Sequence, residues 1–535
     1  MFPLTEEQKV SREVIVNELV PEEITTEKAQ QWSTQLQEFL QNQEPTKPDS
    51  QDYQRLSLLS NLKNDINQQE FVRHVVQLAR FLLTLIVNFD KKELIKIKEA
   101  LLNGVELNIS HMIPLSNVDI EMWAAFGDAL RNSQIQTLYL VYNNLNEMDA
   151  AGWQAFCNAL QNSKVQTLIL SGNELGQIDA ERWLAFCNAL QNFQVQTLSL
   201  SDNKLGQIDA ERWLAFCNAL QNSQVQTLSL SNNKLGQIDA ERWLAFCNAL
   251  QNSQVQTLSL SDNKLGQIDA ERWLAFCEAL QNSQIQALIL SGNELGQIDA
   301  ERWLAFCEAL QNSQIQALDL SFDKLDQMNA AGWKAFGDAL RNPEVQTLDV
   351  SSNQLGQMDA AGWKAFGDAL RNSKVQTLDV SSNQLGQMDA AGWKAFGDAL
   401  RNSQVQTLSL SDNQLGQIDA ARWLAFCNAL QNSQVQTLSL SGNELGQIDE
   451  ESWLAFCNAL KQSQITSIDL SHNDLPTDRQ QSIHYIIGNN LGKTSLVGLT
   501  AWTLWKNSQL TQDAQNRLSI ELQRKIDSME ERCKF

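Results

Sequence analysis

The sequence predicts an α/β solenoid. Short parallel strands line the concave side of a horseshoe, helices line its convex side, and helical caps close both ends. Three observations lead there. Tryptophan recurs every thirty residues from Trp123 to Trp453 without a slip, and such a fixed period marks a repeat architecture. Within each period an alternating apolar stretch is followed by apolar residues at helical spacing. Finally, about nine apolar side chains per unit, at roughly 1.5–3 kcal/mol each, do not offset about 1.5 kcal/mol of ordering for each of thirty residues. Neighbouring units must therefore supply the missing burial.

Residues 195–224 show the order of elements. Leu198 and Leu200 alternate with Thr197, Ser199 and Ser201, which predicts a strand with one buried face. Asn203 stands where the strand turns and can bond main-chain groups that no ladder reaches. Asp209 occupies a helix N-cap position; Asn329 replaces it in one unit. Trp213, Phe216, Cys217 and Leu220 then fall at i, i+3, i+4 and i+7, on one helix face. Parallel strands stack about 4.8 Å apart and helices about 8–10 Å apart, so the stack bends toward its strands.

The segment Val195-Gln-Thr-Leu198-Ser-Leu200-Ser-Asp-Asn203-Lys-Leu205 matches the pattern L-x-x-L-x-L-x-x-N-x-L, with Val in the first place. The pattern is read in twelve units from Ile135 to Leu475, after a degenerate unit at Val105 with Ile113 in the Asn place. With helices such as Ala215-Phe-Cys-Asn-Ala-Leu-Gln-Asn-Ser, the chain resembles the ribonuclease-inhibitor type of leucine-rich-repeat protein over residues 105–475. That resemblance implies a reduced, acidic, cytosolic protein that binds protein partners through the concave face and its loops. The alternative it carries is a GTPase-activating or other regulatory factor. The near-identical units and the C-terminal Asp527-Ser-Met-Glu-Glu-Arg-Cys-Lys-Phe535 are also similar to leucine-rich-repeat effectors that intracellular bacteria deliver into host cells, which would place the chain in a host cytosol.

Net charge is −23, of which residues 105–475 carry −21. Such a surface repels phosphate backbones, which argues against nucleic acid and favours a protein partner with a basic surface. The N-terminus lacks a signal-peptide pattern, and the apolar run Phe81–Phe89 is too short to span a bilayer. Eight Cys share one helix column (157, 187, 217, 247, 277, 307, 427 and 457), where Gly127, Gly337, Gly367 and Gly397 stand in other units. A disulfide framework does not tolerate that exchange, so these are expected to be buried, reduced thiols. Residues 1–104 are expected to form a helical cap or small helical domain with a break at 43–49. Residues 476–535 are expected to form a helical cap or tail, with Trp502, Trp505 and a stripe from Leu510 to Ile526. The chain is expected to be a monomer.

No catalytic, cofactor or metal constellation emerges. His74, His111, His472 and His484 are scattered, and no metal-ligand spacing includes them. Gly488-Asn-Asn-Leu-Gly492-Lys493-Thr494 has three residues between its glycines where a phosphate loop needs four, and reads as a helix C-cap followed by a turn. Information lies instead where the repeats disagree. Tyr139, Tyr142 and Ile169 form an apolar group near the first units. Ile289, Phe322 and the row Asp319, Asp349, Asp379 form a second patch. Aromatic anchors beside charges mark protein hot spots, so these eight residues are the candidate protein-binding site. The expected function is a non-enzymatic interaction scaffold.

Overall fold

Each repeat opens with a strand of only three residues. Leu198, at the centre of Thr197–Ser199, is buried between two half-buried neighbours, as the alternation requires. The computed structural model describes residues 15–17, 19–20, 26–40, 69–86, 91–111, 120–341, 344–494 and 533–534. Two compact units divide the chain, residues 1–259 and 260–535. In the first, six strands from Glu106–Asn108 to Thr257–Ser259 pair in parallel and in chain order, each residue facing its equivalent thirty positions on after the first pair. In the second, seven strands from Ala287–Ile289 to Ser467–Asp469 do the same. Cys533–Lys534 adds a short parallel strand beside Ile468 and Asp469.

After the strand comes an element the apolar pattern did not foretell, a 3₁₀ turn such as Leu205–Gln207. The helix Ala210–Gln221 follows. Asp209 caps it, its Oδ1 accepting from the Arg212 amide at 2.9 Å. Asn329 does the same through the Gly332 amide at 2.9 Å. Trp213, Phe216, Cys217 and Leu220 are all buried, as the helical spacing predicts. Trp213 lies 5.8 Å from Phe216 and 5.9 Å from Phe246 of the next repeat, so within each unit the rings form an aromatic ribbon along the helices.

The Asn at the strand end does more than cap its own turn. Asn203 Oδ1 accepts from the amides of Asn173 and Leu175 in the preceding repeat, at 3.0 and 3.1 Å. Its Nδ2 donates to the carbonyls of Leu170 at 2.9 Å and Ser201 at 3.0 Å. These fully buried amides are rungs that tie each repeat to its neighbour. One rung departs from the pattern read along the sequence: residue 323 is Asp, not Asn. Arg212 is a second tie. Its Nε pairs with Asp209 at 2.8 Å, and its Nη1 donates to the Ile178 carbonyl at 2.6 Å.

Among the described residues, the helices Thr26–Leu40, Gln69–Ile86 and Lys91–Asn103 precede the first strand. The second sets Phe81 at 4.9 Å from Phe126 and 6.1 Å from Trp123, extending the aromatic ribbon at that end. Beyond the last repeat, the helix Thr477–Thr494 runs straight through Gly488 and Gly492. This corrects the expected C-cap and turn there: both glycines are helical, with no phosphate-loop geometry. Arg479 of this helix lies 5.0 Å from the Trp453 ring and donates to the Ile448 carbonyl at 3.1 and 3.2 Å. The break at 43–49, Ile113, Trp502, Trp505 and the 510–526 stripe lie outside the described residues.

Candidate functional site

Tyr139 and Ile169 are register partners on adjacent strands, both half-buried on the solvent face of the first unit's sheet. Tyr142 stands just beyond, in the left-handed region at φ 54°. Its ring stacks on His111, centroids 5.3 Å apart, and lies over Gly172, where a Cβ would collide with the ring. Gly172, itself at φ 70°, therefore makes room for Tyr142. Part of the departure from the repeat pattern at Tyr142 is thus explained by packing, although the residue remains 47% exposed.

The second unit brings together the other five candidates. Ile289, Asp319, Asp349 and Asp379 occupy the same register position on four consecutive parallel strands. Neighbouring strands lie about 4.8 Å apart, so three carboxylates stand in one row. Each has a local role as well: Asp319, Asp349 and Asp379 accept at 2.8 Å from the amides of Ser321, Ser351 and Ser381. Burial pushes the central Asp349 carboxyl above its usual range, and the flanking charges of Asp319 and Asp379 push the same way.

Phe322 lies beside this row in the left-handed region at φ 57°, with 62% of its surface exposed. Other repeats place Gly, Asp, Asn, Ser or His at this position, apart from Tyr142. A bulky residue is unfavourable in that backbone region, and an exposed ring gains nothing there from the core.

A second feature lies on the helices, where the sequence already shows a column that starts at Leu184, switches to Lys334, Lys364 and Lys394, and leaves a convex-side site open. Leu214 and Leu244 in the first unit, and Leu274, Leu304, Leu424 and Leu454 in the second, are each between 50% and 54% exposed. They share one helix position, where Lys334, Lys364 and Lys394 stand in the intervening repeats, also exposed. These leucines fall outside the spacing of the buried stripe, which is why they face outward.

The eight column cysteines are free and buried. Burial holds the thiols of Cys157 and Cys217 up at about 12, so they are poor nucleophiles at neutral pH. Among the described residues no group of three or more His, Cys, Asp or Glu could hold a metal ion. No described helix is long and apolar enough to cross a membrane.

Residues 371–387 match the family model described as Leucine Rich repeat. Together with the strand–turn–helix period, that decides the nature of the units. The fold is a leucine-rich-repeat solenoid. No curated protein matches the sequence. Among solved structures the chain is similar to the leucine-rich repeat-containing protein LegL7 from Legionella pneumophila, at 20% identity and a TM-score of 0.45, over 61% of this chain and 98% of that one. It is also similar to a chain from the complex of Rad7 and Elc1 in yeast, at 11% identity and a TM-score of 0.38, over 76% of this chain and 96% of that one. The leucine-rich-repeat fold is typically a protein-interaction scaffold.

Proposed function

We propose that this protein is a non-enzymatic scaffold that binds a protein partner on the solvent face of its second unit's sheet. Phe322 is the anchor, and Asp319, Asp349 and Asp379 receive basic side chains. The observation that carries this reading is the exposure of Phe322 at 62% in a backbone region that disfavours it. Aromatic residues that close a desolvated contact are the usual centres of binding energy. A sheet held by buried rungs also loses little conformational entropy on binding, which supports affinity. Tyr139, Tyr142 and Ile169 form a secondary contact on the first unit. The helices of residues 1–104 act as a cap over the first repeat, a role supported by Phe81 against Phe126. The eight free thiols favour a reducing compartment such as a cytosol, that of a host cell included.

The exposed helix leucines support a second reading, in which the partner docks on the helical face around Leu274 and Leu304. The two readings separate in one experiment. Partners captured by the full chain are identified, and the affinity of each is measured for Phe322→Ala, for the triple Asp319/Asp349/Asp379→Asn change and for the double Leu274/Leu304→Ser change. The sheet-face reading expects a loss of roughly tenfold or more for Phe322→Ala, the scale of a binding hot spot. It also expects slower association as salt rises, since exposed charges steer encounters within about 8–10 Å. Loss only in the leucine variant moves the site to the helices.

A further inference from the structure

The buried rung at position 323 breaks the pattern of its neighbours in a way that determines its chemistry. Asp323 is fully buried. Its Oδ1 does what an Asn oxygen does in other repeats, accepting from the amides of Asn293 at 2.7 Å and Leu295 at 3.2 Å. The difference lies at the other atom. In the preceding repeat Asn293 Nδ2 donates to the carbonyls of Leu260 at 2.9 Å and Leu290 at 2.6 Å. In the following one Asn353 Nδ2 donates to Leu320 at 2.8 Å and Val350 at 3.0 Å. The thirty-residue register therefore turns Asp323 Oδ2 toward the carbonyls of Leu290 and Leu320. In regular repeats each such carbonyl accepts two rungs, as Leu170 does from Asn173 and Asn203; here each lacks one. Asp323 Oδ2 itself has no hydrogen-bond partner.

An ionised carboxylate can only accept, so it would set a buried charge against two carbonyl oxygens. We infer that Asp323 is protonated on Oδ2 at neutral pH and donates to a carbonyl of Leu290 or Leu320, so that this rung is a titrating hydrogen bond that opens when the proton leaves. The surrounding charges do not oppose this. Asp319 on the same repeat's strand adds negative charge; the other nearby carboxyls, Asp349 on the next strand and Asp326 in the following turn, are themselves raised by burial. Lys324 is held by Glu294 of the preceding repeat at 2.7 Å. Burial, the largest cause, and the Asp319 charge push the Asp323 carboxyl well above the usual carboxylate range.

The sign follows from linkage. Below about pH 3.9, the ordinary Asp value, the proton is held folded or unfolded and costs nothing. As pH rises past that value the unfolded chain releases the proton while the folded rung keeps it, so local stability falls until the folded carboxyl itself titrates. Because Phe322 is the adjacent residue, its loop loosens with the rung, whether or not Phe322 binds a partner.

Asp323→Asn restores the residue of the other rungs and is expected to fold, which makes it the test. An infrared difference spectrum between the full-length wild type and D323N at pH 7 should show a protonated carboxylic acid band that the variant lacks. Hydrogen exchange at the amides of Asn293 and Leu295 should accelerate with pH in the wild type by more than the intrinsic tenfold per unit, and in D323N by the intrinsic factor alone. Absence of the band, or equal pH slopes in the two proteins, overturns the inference.

Discussion

Two kinds of repeat share one frame in the second unit, and they are bonded differently. In the helix Ala300–Gln311, Arg302 pairs its Nε with Asp299 at 2.8 Å and sends Nη1 to the Ile268 carbonyl of the preceding repeat at 2.8 Å. The Arg302 carbonyl in turn accepts the indole N–H of Trp273 at 2.9 Å. In Ala330–Ala339, Ala360–Asn372 and Ala390–Asn402, Gly332, Gly362 and Gly392 replace that Arg. Among the described residues, the indole N–H groups of Trp333, Trp363 and Trp393 have no acceptor. These repeats also carry Gly337, Gly367 and Gly397 in the cysteine column. A Cβ at Gly337 would fall 2.6 Å from that of Ala369, and one at Gly367 would fall 3.0 Å from the Ala395 carbonyl. The glycine repeats thus exchange hydrogen-bonded ties for closer helices. Packing and directed bonds are interchangeable ways of holding one solenoid together, and the period alone does not say which is in use.

The largest expected effect tests what both kinds share. Trp273→Ala and Trp363→Ala should each cost about 3–5 kcal/mol in urea unfolding, since both rings are buried in the same ribbon. Replacement by Phe should tell the kinds apart. Trp273→Phe also strands the Arg302 carbonyl, costing about 1 kcal/mol more than Trp363→Phe, which removes an unsatisfied donor. Equal costs would mean that the indole bond contributes nothing. Next in size, Gly337→Cys imports the residue of the other repeats and should destabilise by about 1–3 kcal/mol through overpacking. A neutral result would show that the helices can separate freely. The cap is common to both kinds. Asp269→Ala and Asp359→Ala should each cost about 1 kcal/mol by thermal melts. Smallest, Gly362→Ala should stabilise by up to about 1 kcal/mol through helix propensity, because its Cβ would meet nothing closer than 3.4 Å.

The caps also fix an acid limit. The Arg272 amide, donating to Asp269, is the largest cause holding that carboxyl below its usual range. A depressed carboxylate stabilises above its unfolded value, and that stability is lost as pH falls through the folded one. Wild type should therefore lose more stability than Asp269→Ala when the pH drops below about 4.

What could be read in the sequence was whatever repeats within one unit. The Trp column, the Asp209 cap and the strand leucines obey local spacing, and each lies where that spacing puts it. The reach of Asn203 into the preceding repeat, the Arg212 tie and the fit of Gly337 against Ala369 join residues about thirty positions apart. Their geometry exists only once the units are stacked, so no window of sequence shows it. Phe322 was legible as an outlier because outliers need no geometry. Asp323, beside it, was passed over because Asp and Asn look alike in a pattern and differ by a charge only when buried.

The sameness of the rungs has a cost in folding. Asn353, Asn383, Asn413 and Asn443 bond their neighbours almost identically. During folding, one repeat can therefore meet a neighbour's neighbour and find every donor and acceptor where it expects them. Misassembly in such arrays is limited mainly by chain connectivity. Residues that break the pattern act as place markers. Phe193 stands where the other repeats have Ser, Pro343 excepted, is buried, and packs 6.3 Å from Phe186. A unit shifted by thirty residues would bring this ring to a neighbour built for a hydroxyl, so a single irregular side chain helps the chain count its own repeats.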